Sequence, residues 1–288
     1  MPKNKHKNQR LNILITGCSS GIGFEAAQIL QQRGHQVIAT VRTVEDTTRL
    51  TKAGIRSLLC DLNDSTAIHT LVETTLQLFN GHIDVLFNNA AYGQPGAVED
   101  LTRQALRAQF ETNVFGTQEL TNLLIRQMRK QNSGRIIYNS SILGLIALPY
   151  RGAYNASKYA IEGLADTLRL ELRDTNIHIS LIEPGPIISR FRQNAFAKYQ
   201  QHIDKHNSAH RERYIAMEKR LTAATSVAPF TLPAKAVVDK LLHAIEAKRP
   251  KARYYVTFPT HLFAFLKRVL NTSTLDWVLS KVSQNEQR

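Results

Sequence analysis

Leu11-Asn12-Ile13-Leu14-Ile15-Thr16-Gly17-Cys18-Ser19-Ser20-Gly21-Ile22-Gly23 decides the fold of this 288-residue chain. The apolar run from Leu11 to Thr16 reads as a buried strand, the three glycines as a tight turn, and the stretch onward to Arg33 as a helix. The glycines have separate tasks. An early one lets the chain turn sharply, and the later ones let a pyrophosphate and the neighbouring strand approach backbone with no Cβ between. N–H groups at the start of the helix are then left facing the phosphates. The spacing is Gly-x-x-x-Gly-x-Gly rather than Gly-x-Gly-x-x-Gly, so the dinucleotide fingerprint is met in mechanism and not in letter.

Outward from this unit, strand-like apolar runs at 11–16, 36–41, 55–60, 83–88, 134–140, 177–183 and 253–257 alternate with helical patterns. Such alternation predicts an α/β chain, a Rossmann-type doubly wound parallel sheet of about seven strands covered by helices on both faces. No Pro/Gly/Ser-rich linker, low-complexity stretch or internal repeat divides it, and 43% hydrophobic content supplies one large core. A single domain over 11–257 is expected, preceded by a basic disordered tail at 1–10. A helical insertion at 190–229 would cover the substrate, and an amphipathic helical extension would occupy 258–288.

Tyr154 and Lys158 stand four residues apart, and Ser141 lies thirteen positions before the tyrosine. On a helix this puts phenol and ammonium on one face, roughly 5–6 Å apart at Cβ. A phenol ionises near pH 10, and a fixed ammonium one turn away would stabilise its anion. By itself the pair is common on solvated helix faces; its meaning comes from the glycine turn upstream.

Together these residues resemble the short-chain dehydrogenase/reductase family, with Thr-Gly-x-x-x-Gly-x-Gly at Thr16–Gly23 and Tyr-x-x-x-Lys at Tyr154–Lys158. Asn88-Asn89-Ala90-Ala91, Asn113 and Pro184-Gly185 fall in register with further family elements, over roughly residues 10 to 250. Two departures are Ala91, in place of the usual glycine, and Ser189, where a threonine is frequent and the hydroxyl is kept. The resemblance implies hydride transfer between a nicotinamide cofactor and a carbonyl carbon. Tyr154 would be acid/base, Lys158 would hold the ribose and stabilise the tyrosinate, and Ser141 would orient the substrate oxygen. Asn113 would belong to a helix irregularity anchoring a water relay. Ser140 is adjacent, and register selects Ser141.

The cofactor site implied comprises Gly17, Ser19, Ser20, Gly21, Ile22 and Gly23, with Asp61 and Leu62 at the adenine and Asn89 and Ala90 on the adenosine side. Pro184, Gly185, Ile187 and Ser189 would line the nicotinamide, beside Tyr154 and Lys158. Asp61 can equally be an ordinary strand-end cap. The second strand ends Val37-Ile38-Ala39-Thr40-Val41-Arg42, with an arginine and no acid where the ribose 2′-position is read, and Glu45 comes three residues too late. NADP(H) is the cofactor this predicts. Ser20 offers a further hydroxyl to the same phosphate.

Ile142-Leu143-Gly144-Leu145-Ile146-Ala147-Leu148-Pro149, with Phe191, Phe196 and Tyr199, predicts an apolar pocket for a lipophilic aldehyde, ketone or alcohol. The glycine turn, Ala39–Arg42 and Glu183-Pro184-Gly185-Pro186 look like the branch holding 17β-hydroxysteroid and retinol dehydrogenases and bacterial aldehyde reductases. The competing reading is a non-catalytic NADP-binding scaffold or sensor that uses its basic tails to bind membrane or nucleic acid. Such a protein has no need of Asn113, Ser141, Tyr154 and Lys158 together. Family members usually pair through the helices carrying Asn113 and Tyr154, so a homodimer or homotetramer is implied.

Cys18 and Cys60 form no disulfide framework and no metal-ligand spacing, so no metal and a cytoplasmic, reduced setting are expected. Met1–Arg10 is basic with no apolar run behind it, unlike a secretory signal, and no stretch has transmembrane length. The net charge of +14 is concentrated in residues 1–10 (+4), 190–220 (+5) and 248–288 (+6), leaving the rest at −1. No helix-turn-helix or zinc-finger spacing accompanies it, so nucleic acid is not an expected partner. Phe258, Leu262, Phe263, Phe265, Leu266, Val269 and Leu270 near Lys267 and Arg268 form an amphipathic pattern with two readings. The helix packs its apolar face on the domain or covers the substrate pocket, or it makes peripheral membrane contact.

Overall fold

Seven strands form where the apolar runs lie: β1 Asn12–Ile15, β2 Gln36–Val41, β3 Arg56–Leu59, β4 Val85–Asn88, β5 Gly134–Asn139, β6 Ile177–Glu183 and β7 Arg253–Tyr255. The computed structural model describes residues 10–222 and 228–286. All of the tail expected at 1–10 except Arg10 lies outside them, as do residues 223–227 of the insertion. The sheet is wholly parallel in the order β3-β2-β1-β4-β5-β6-β7. The chain reverses direction across the sheet between β1 and β4, which opens a crevice at their C-terminal ends; ligands bind such sheets there.

The helices are α1 Gly21–Gln32, α2 Val44–Lys52, α3 Ser65–Leu78, α4 Arg103–Phe110, α5 Thr117–Gln131, α6 Gly152–Glu171, α7 Phe191–His202, α8 Arg211–Thr222, α9 Lys235–Glu246, α10 Phe258–Val269 and α11 Thr272–Glu286. Thr43, Asp64 and Thr102 start α2, α3 and α4 by accepting from Asp46 N–H at 3.2 Å, Thr66 N–H at 2.9 Å and Ala105 N–H at 3.1 Å.

Strand side chains alternate between two cores. Leu14, Ile38, Leu86, Ile136 and Ile179 pack with Leu71 of α3, Leu120 and Leu124 of α5 and Ile161 and Ala165 of α6. On the opposite face Ile13, Ile15, Val37, Ala39, Val85 and Phe87 pack with Ala26, Ala27 and Leu30 of α1 and Val237, Val238 and Leu241 of α9. Each fully buried Leu or Ile stabilises the fold by about 1.5–3 kcal/mol, and this two-sided burial is why the strands read as continuous apolar runs.

Two further clusters stand above the crevice. Tyr199, Ile203, Tyr214 and Met217 of the α7–α8 insertion pack on Ala97, Leu101, Ala105 and Ala153. The insertion is also fastened by polar bonds: Tyr214 Oη accepts from Ala97 N–H at 2.9 Å and donates to Asp100, and Ser208 Oγ donates to Asp100 Oδ2 at 2.6 Å. From the other side Phe263 of α10 and Leu279 of α11 pack with Leu143, Ile146 and Tyr154. The C-terminal helices therefore form part of the wall beside the tyrosine.

Candidate active site

Gly17 and Gly21 adopt φ of +69° and +57°, the left-handed region that glycine enters without strain. A Cβ on Gly17 would lie 2.7 Å from Ala90 Cα, and one on Gly23 would strike the Gly17 carbonyl and come within 2.6 Å of Asn89 Nδ2. The turn is thus pressed against the end of β4, and hydrogen bonds hold it there. Asn89 N–H and Ala90 N–H both donate to Thr16 Oγ1 at 2.9 Å, and Asn89 Nδ2 donates to the carbonyls of Thr16 and Gly17 at 2.9 and 3.0 Å. Asn89 is therefore a clamp on the glycine turn. Ser20 caps α1 without bonding its hydroxyl back to the helix, and Ile22 packs with the core beneath. The arrangement presents the start of α1 to the crevice, a cradle that fits a dinucleotide pyrophosphate.

Around this cradle Arg42 is exposed directly after β2, with no carboxylate partner among the described residues. Arg49 of α2, which the sequence reading did not single out, reaches the Ser19 carbonyl and pairs with Asp46 at 2.7 Å. Asp61 is exposed, and its Oδ1 accepts from Asn63 N–H at 3.0 Å, a turn cap after β3, while Leu62 is buried beside it. Beyond β6, the Pro184 carbonyl accepts from Ile142 N–H at 2.8 Å and Gly185 lies against the Thr257 side chain. Ile187 pairs with Leu232, and Ser189 comes so near the glycine turn that a Cβ on Gly21 would be 3.1 Å from its own Cβ. The 184–189 segment thereby runs from the end of β6 back to the turn and closes one side of the crevice.

Ser141, Tyr154 and Lys158 meet at its floor, all buried. Ser141 Oγ accepts from Leu143 N–H at 3.1 Å, capping a short 3-10 turn at Ile142–Gly144, and lies near enough to the Tyr154 hydroxyl to act on its ionisation. Ser140 is buried on the other side, near Glu162 across Gly144. Lys158 Nζ donates to the Asn139 carbonyl at 2.7 Å and sits 5.6 Å from the centre of the Tyr154 ring.

The pairing differs in one respect from the simple helical picture, in which the ammonium governs the phenol. Burial pushes Tyr154 up to about 12, with the Ser141 hydrogen bond acting in the opposite sense. Lys158 is drawn down to about 8 by burial, against the pull of Glu162. At neutral pH the phenol holds its proton, the state of a proton donor.

Asn113 lies in a π-helical stretch, Glu111–Gly116, between α4 and α5, which is the irregularity the resemblance implied. Its Oδ1 accepts from Tyr92 N–H at 3.2 Å, and its Nδ2 donates to the Tyr92 carbonyl and to Ser157 Oγ, each at 3.0 Å. Ser157 Oγ in turn donates to the Tyr154 carbonyl at 2.8 Å. The side chain thus ties three segments together rather than pointing at Lys158.

Further residues complete the site, Phe191 among them as the apolar pocket predicts. Asn139 Nδ2 donates to Asn89 Oδ1 at 2.8 Å, so one asparagine connects the glycine clamp to the carbonyl that holds Lys158. Phe191 stacks edge-on to Tyr154 with ring centres 5.3 Å apart. Behind Lys158, Arg253 of β7 binds Glu162, Glu183 and Asp166, the last at 2.6 Å. Burial pushes both glutamates up, Glu183 to about 8. Glu162 was legible as the residue one turn beyond Lys158, whereas only the folded sheet brings Glu183 and Arg253 to it.

A glycine-turn cradle at the switch point of a doubly wound sheet, beside a buried Ser-Tyr-Lys group, defines a dinucleotide-dependent oxidoreductase class. The chain belongs to the short chain dehydrogenase family, whose sequence pattern matches residues 11–200. It is 38% identical to the uncharacterized oxidoreductase YbbO of Escherichia coli K12 over 95% of each chain. It is 31% identical to human 17-beta-hydroxysteroid dehydrogenase type 1 over 86% of this chain and 78% of that protein, and 30% identical to human retinol dehydrogenase 8 over 91% and 86%. A short-chain dehydrogenase structure from Streptomyces avermitilis superposes with TM-score 0.75 at 26% identity, covering 97% of both chains. A Burkholderia cenocepacia J2315 short chain dehydrogenase in complex with NADP, 22% identical, shares the fold with TM-score 0.72 over 94% of this chain and 98% of that one.

Proposed function

We propose that this chain is an NADP(H)-dependent oxidoreductase that interconverts a lipophilic alcohol and its aldehyde or ketone. The observation that carries the proposal is the burial of Tyr154 beside Ser141, with Lys158 anchored on the Asn139 carbonyl at 2.7 Å. The cofactor, when bound in the cradle, supplies or accepts the hydride. In reduction, Tyr154 Oη gives its proton to the oxygen that becomes the alcohol, while the Ser141 hydroxyl donates a hydrogen bond to the same oxygen as negative charge develops. In oxidation Tyr154 takes the proton back. Lys158 holds the cofactor ribose and, as an ammonium, favours the transient tyrosinate.

Arg42 supports NADP(H), because it stands exposed where an acid would otherwise meet the ribose 2′-hydroxyl. Phe191, Leu143, Ile146 and Phe263 around Tyr154 support an apolar substrate. So do the relatives named for a hydroxysteroid and for retinol, both lipophilic alcohols. The proposal includes a homodimer or homotetramer paired through α4, α5 and α6, where Leu106, Phe115 and Leu170 are exposed. It also includes a cytoplasmic location, in keeping with two buried free cysteines.

The test is Tyr154→Phe, assayed with NADPH against a panel of lipophilic aldehydes and ketones. Turnover should fall by about 100-fold or more, the range of a lost general acid, while NADPH binding followed by fluorescence persists. Unchanged turnover refutes the mechanism. A wild-type chain that binds NADPH yet turns over no member of the panel would favour the scaffold reading.

A further inference from the structure

Tyr154 is 8% accessible, so a substrate reaches its hydroxyl only after something moves. Leu143, Ile146, Phe263 and Leu279 pack in one cluster with it, and Phe191 stands edge-on to it, with ring centres 5.3 Å apart and planes at 63°. Exposure separates the five. Leu143, Ile146, Phe263 and Leu279 are 8%, 2%, 7% and 7% accessible, whereas Phe191, the first residue of α7, is 37% accessible. Close packing holds the four buried side chains in place, while a part-exposed ring changes rotamer fast and uncovers the least apolar area in doing so.

The Phe191 ring has a seat on its other side. A Cβ at Gly93 would lie 2.7 Å from Phe191 Cζ and 3.1 Å from its Cε1, and 3.6 Å from Tyr154 Cδ2. Gly93 is not one of the glycines with positive φ, so its missing side chain serves space rather than backbone conformation. The slot it leaves is filled by the ring. Beneath it the chain is fixed, because Asn113 binds both the N–H and the carbonyl of the neighbouring Tyr92, at 3.2 and 3.0 Å. A carbonyl compound bound at the Tyr154 hydroxyl carries its substituents into the space beside this ring.

We propose that Phe191 is a gating and size-selecting residue: its ring, seated on Gly93, closes the approach to Tyr154, swings away to admit substrate and limits the width of the group the carbonyl carries. The selection of width rests on the proposed function; the closure over Tyr154 does not.

The experiment is nitration of the full chain with tetranitromethane, followed tyrosine by tyrosine by peptide mass, which needs no substrate. Tyr159, 40% accessible, is the exposed reference, and Tyr138, fully buried, is the interior one. In wild type Tyr154 should react slowly, as Tyr138 does. In Phe191→Ala it should react about tenfold faster or more, with Tyr138 still protected, which separates an opened gate from an unfolded chain. Gly93→Ala should act in the same direction by unseating the ring. The double variant should react no faster than Phe191→Ala alone, since both changes act on one contact. Equal Tyr154 rates in wild type and Phe191→Ala overturn the gate, and a Gly93→Ala chain as protected as wild type overturns the seat. Kinetics with NADPH test the selection. Phe191→Ala should raise kcat/KM for a ketone branched on both sides of its carbonyl, relative to a linear 2-ketone of equal carbon number, by about tenfold or more, mainly through KM. An unmoved ratio beside faster nitration would make Phe191 a shield that selects nothing and overturn that half of the proposal. Turnover of neither ketone by either chain would overturn the proposed function and the selection with it, while the nitration still decides the gate.

Discussion

Arg42 is the residue on which the cofactor proposal turns. It is exposed and carries no carboxylate partner among the described residues, so its guanidinium is available to a dianionic phosphate in the fork geometry arginine favours. A charge-assisted hydrogen bond contributes about 1.5–3 kcal/mol, or roughly 10- to 100-fold in affinity. Arg42→Ala should therefore raise the KM for NADPH by about that factor and leave the KM for NADH nearly unchanged. Steady-state kinetics with both cofactors check this. An equal effect on both would mean that the arginine does not read the 2′-phosphate. The same scale shows where a residue type is not enough. Asn89, expected on the adenosine side, has its side-chain amide engaged by Thr16, Gly17 and Asn139, so its part in holding the glycine turn comes from packing rather than residue type.

At the scale of elements, the π-helical stretch between α4 and α5 places Asn113 where a regular helix would not. Removing its amide in Asn113→Ala leaves the Tyr92 N–H without its partner in a buried setting, while the Tyr92 carbonyl keeps the Gln109 amide at 2.9 Å. Each unsatisfied group costs about 1–3 kcal/mol, so the unfolding midpoint should drop by several degrees. Because Ser157 then loses its link to α4 and α5 directly beside Tyr154, kcat should fall further than cofactor affinity. Thermal unfolding and initial rates on one preparation test both parts; an unchanged midpoint would contradict the tie. Strands were easy to read because burial on both faces makes them continuous apolar runs. The 190–229 insertion was not, since Tyr199, Ile203, Tyr214 and Met217 pack on scattered residues of the 97–105 segment and on Ala153. Its apolar positions therefore follow that surface more than a simple helical period.

Across the whole molecule, Glu162 and Asp166 of α6, Glu183 at the end of β6 and Arg253 of β7 gather into one buried group behind Lys158. Asp166 also pairs with Arg169 at 2.9 Å, so Glu162 and Glu183 chiefly share Arg253, and burial, with the neighbouring Glu162 charge, holds Glu183 at about 8 against its ordinary 4.5. Over that interval the folded chain keeps a proton that the unfolded chain has lost. This group's contribution to stability consequently declines as pH rises from about 4.5 to about 8, and the decline is complete above that. Glu183→Gln removes the titration while keeping the shape. It should make the fall in unfolding midpoint between pH 5 and pH 8 shallower, with the variant at least as stable as wild type at the upper end. A steeper fall in the variant would mean that Glu183 is ionised and its pairing with Arg253 prevails.

What the sequence determined by itself was whatever lies within a turn or a strand: the glycine turn, the seven apolar runs, the Tyr154–Lys158 spacing and the arginine after β2. Local periodicity and backbone sterics are properties of neighbouring residues, so they are written in consecutive letters. Tertiary structure alone decided the electrostatic state of Tyr154, the Asn89–Asn139–Lys158 connection and the division of α10 into a face turned to the tyrosine and a face turned outward. These depend on burial and on partners brought from distant elements. An amphipathic letter pattern shows that a helix has apolar positions, but only packing shows which of them remain uncovered.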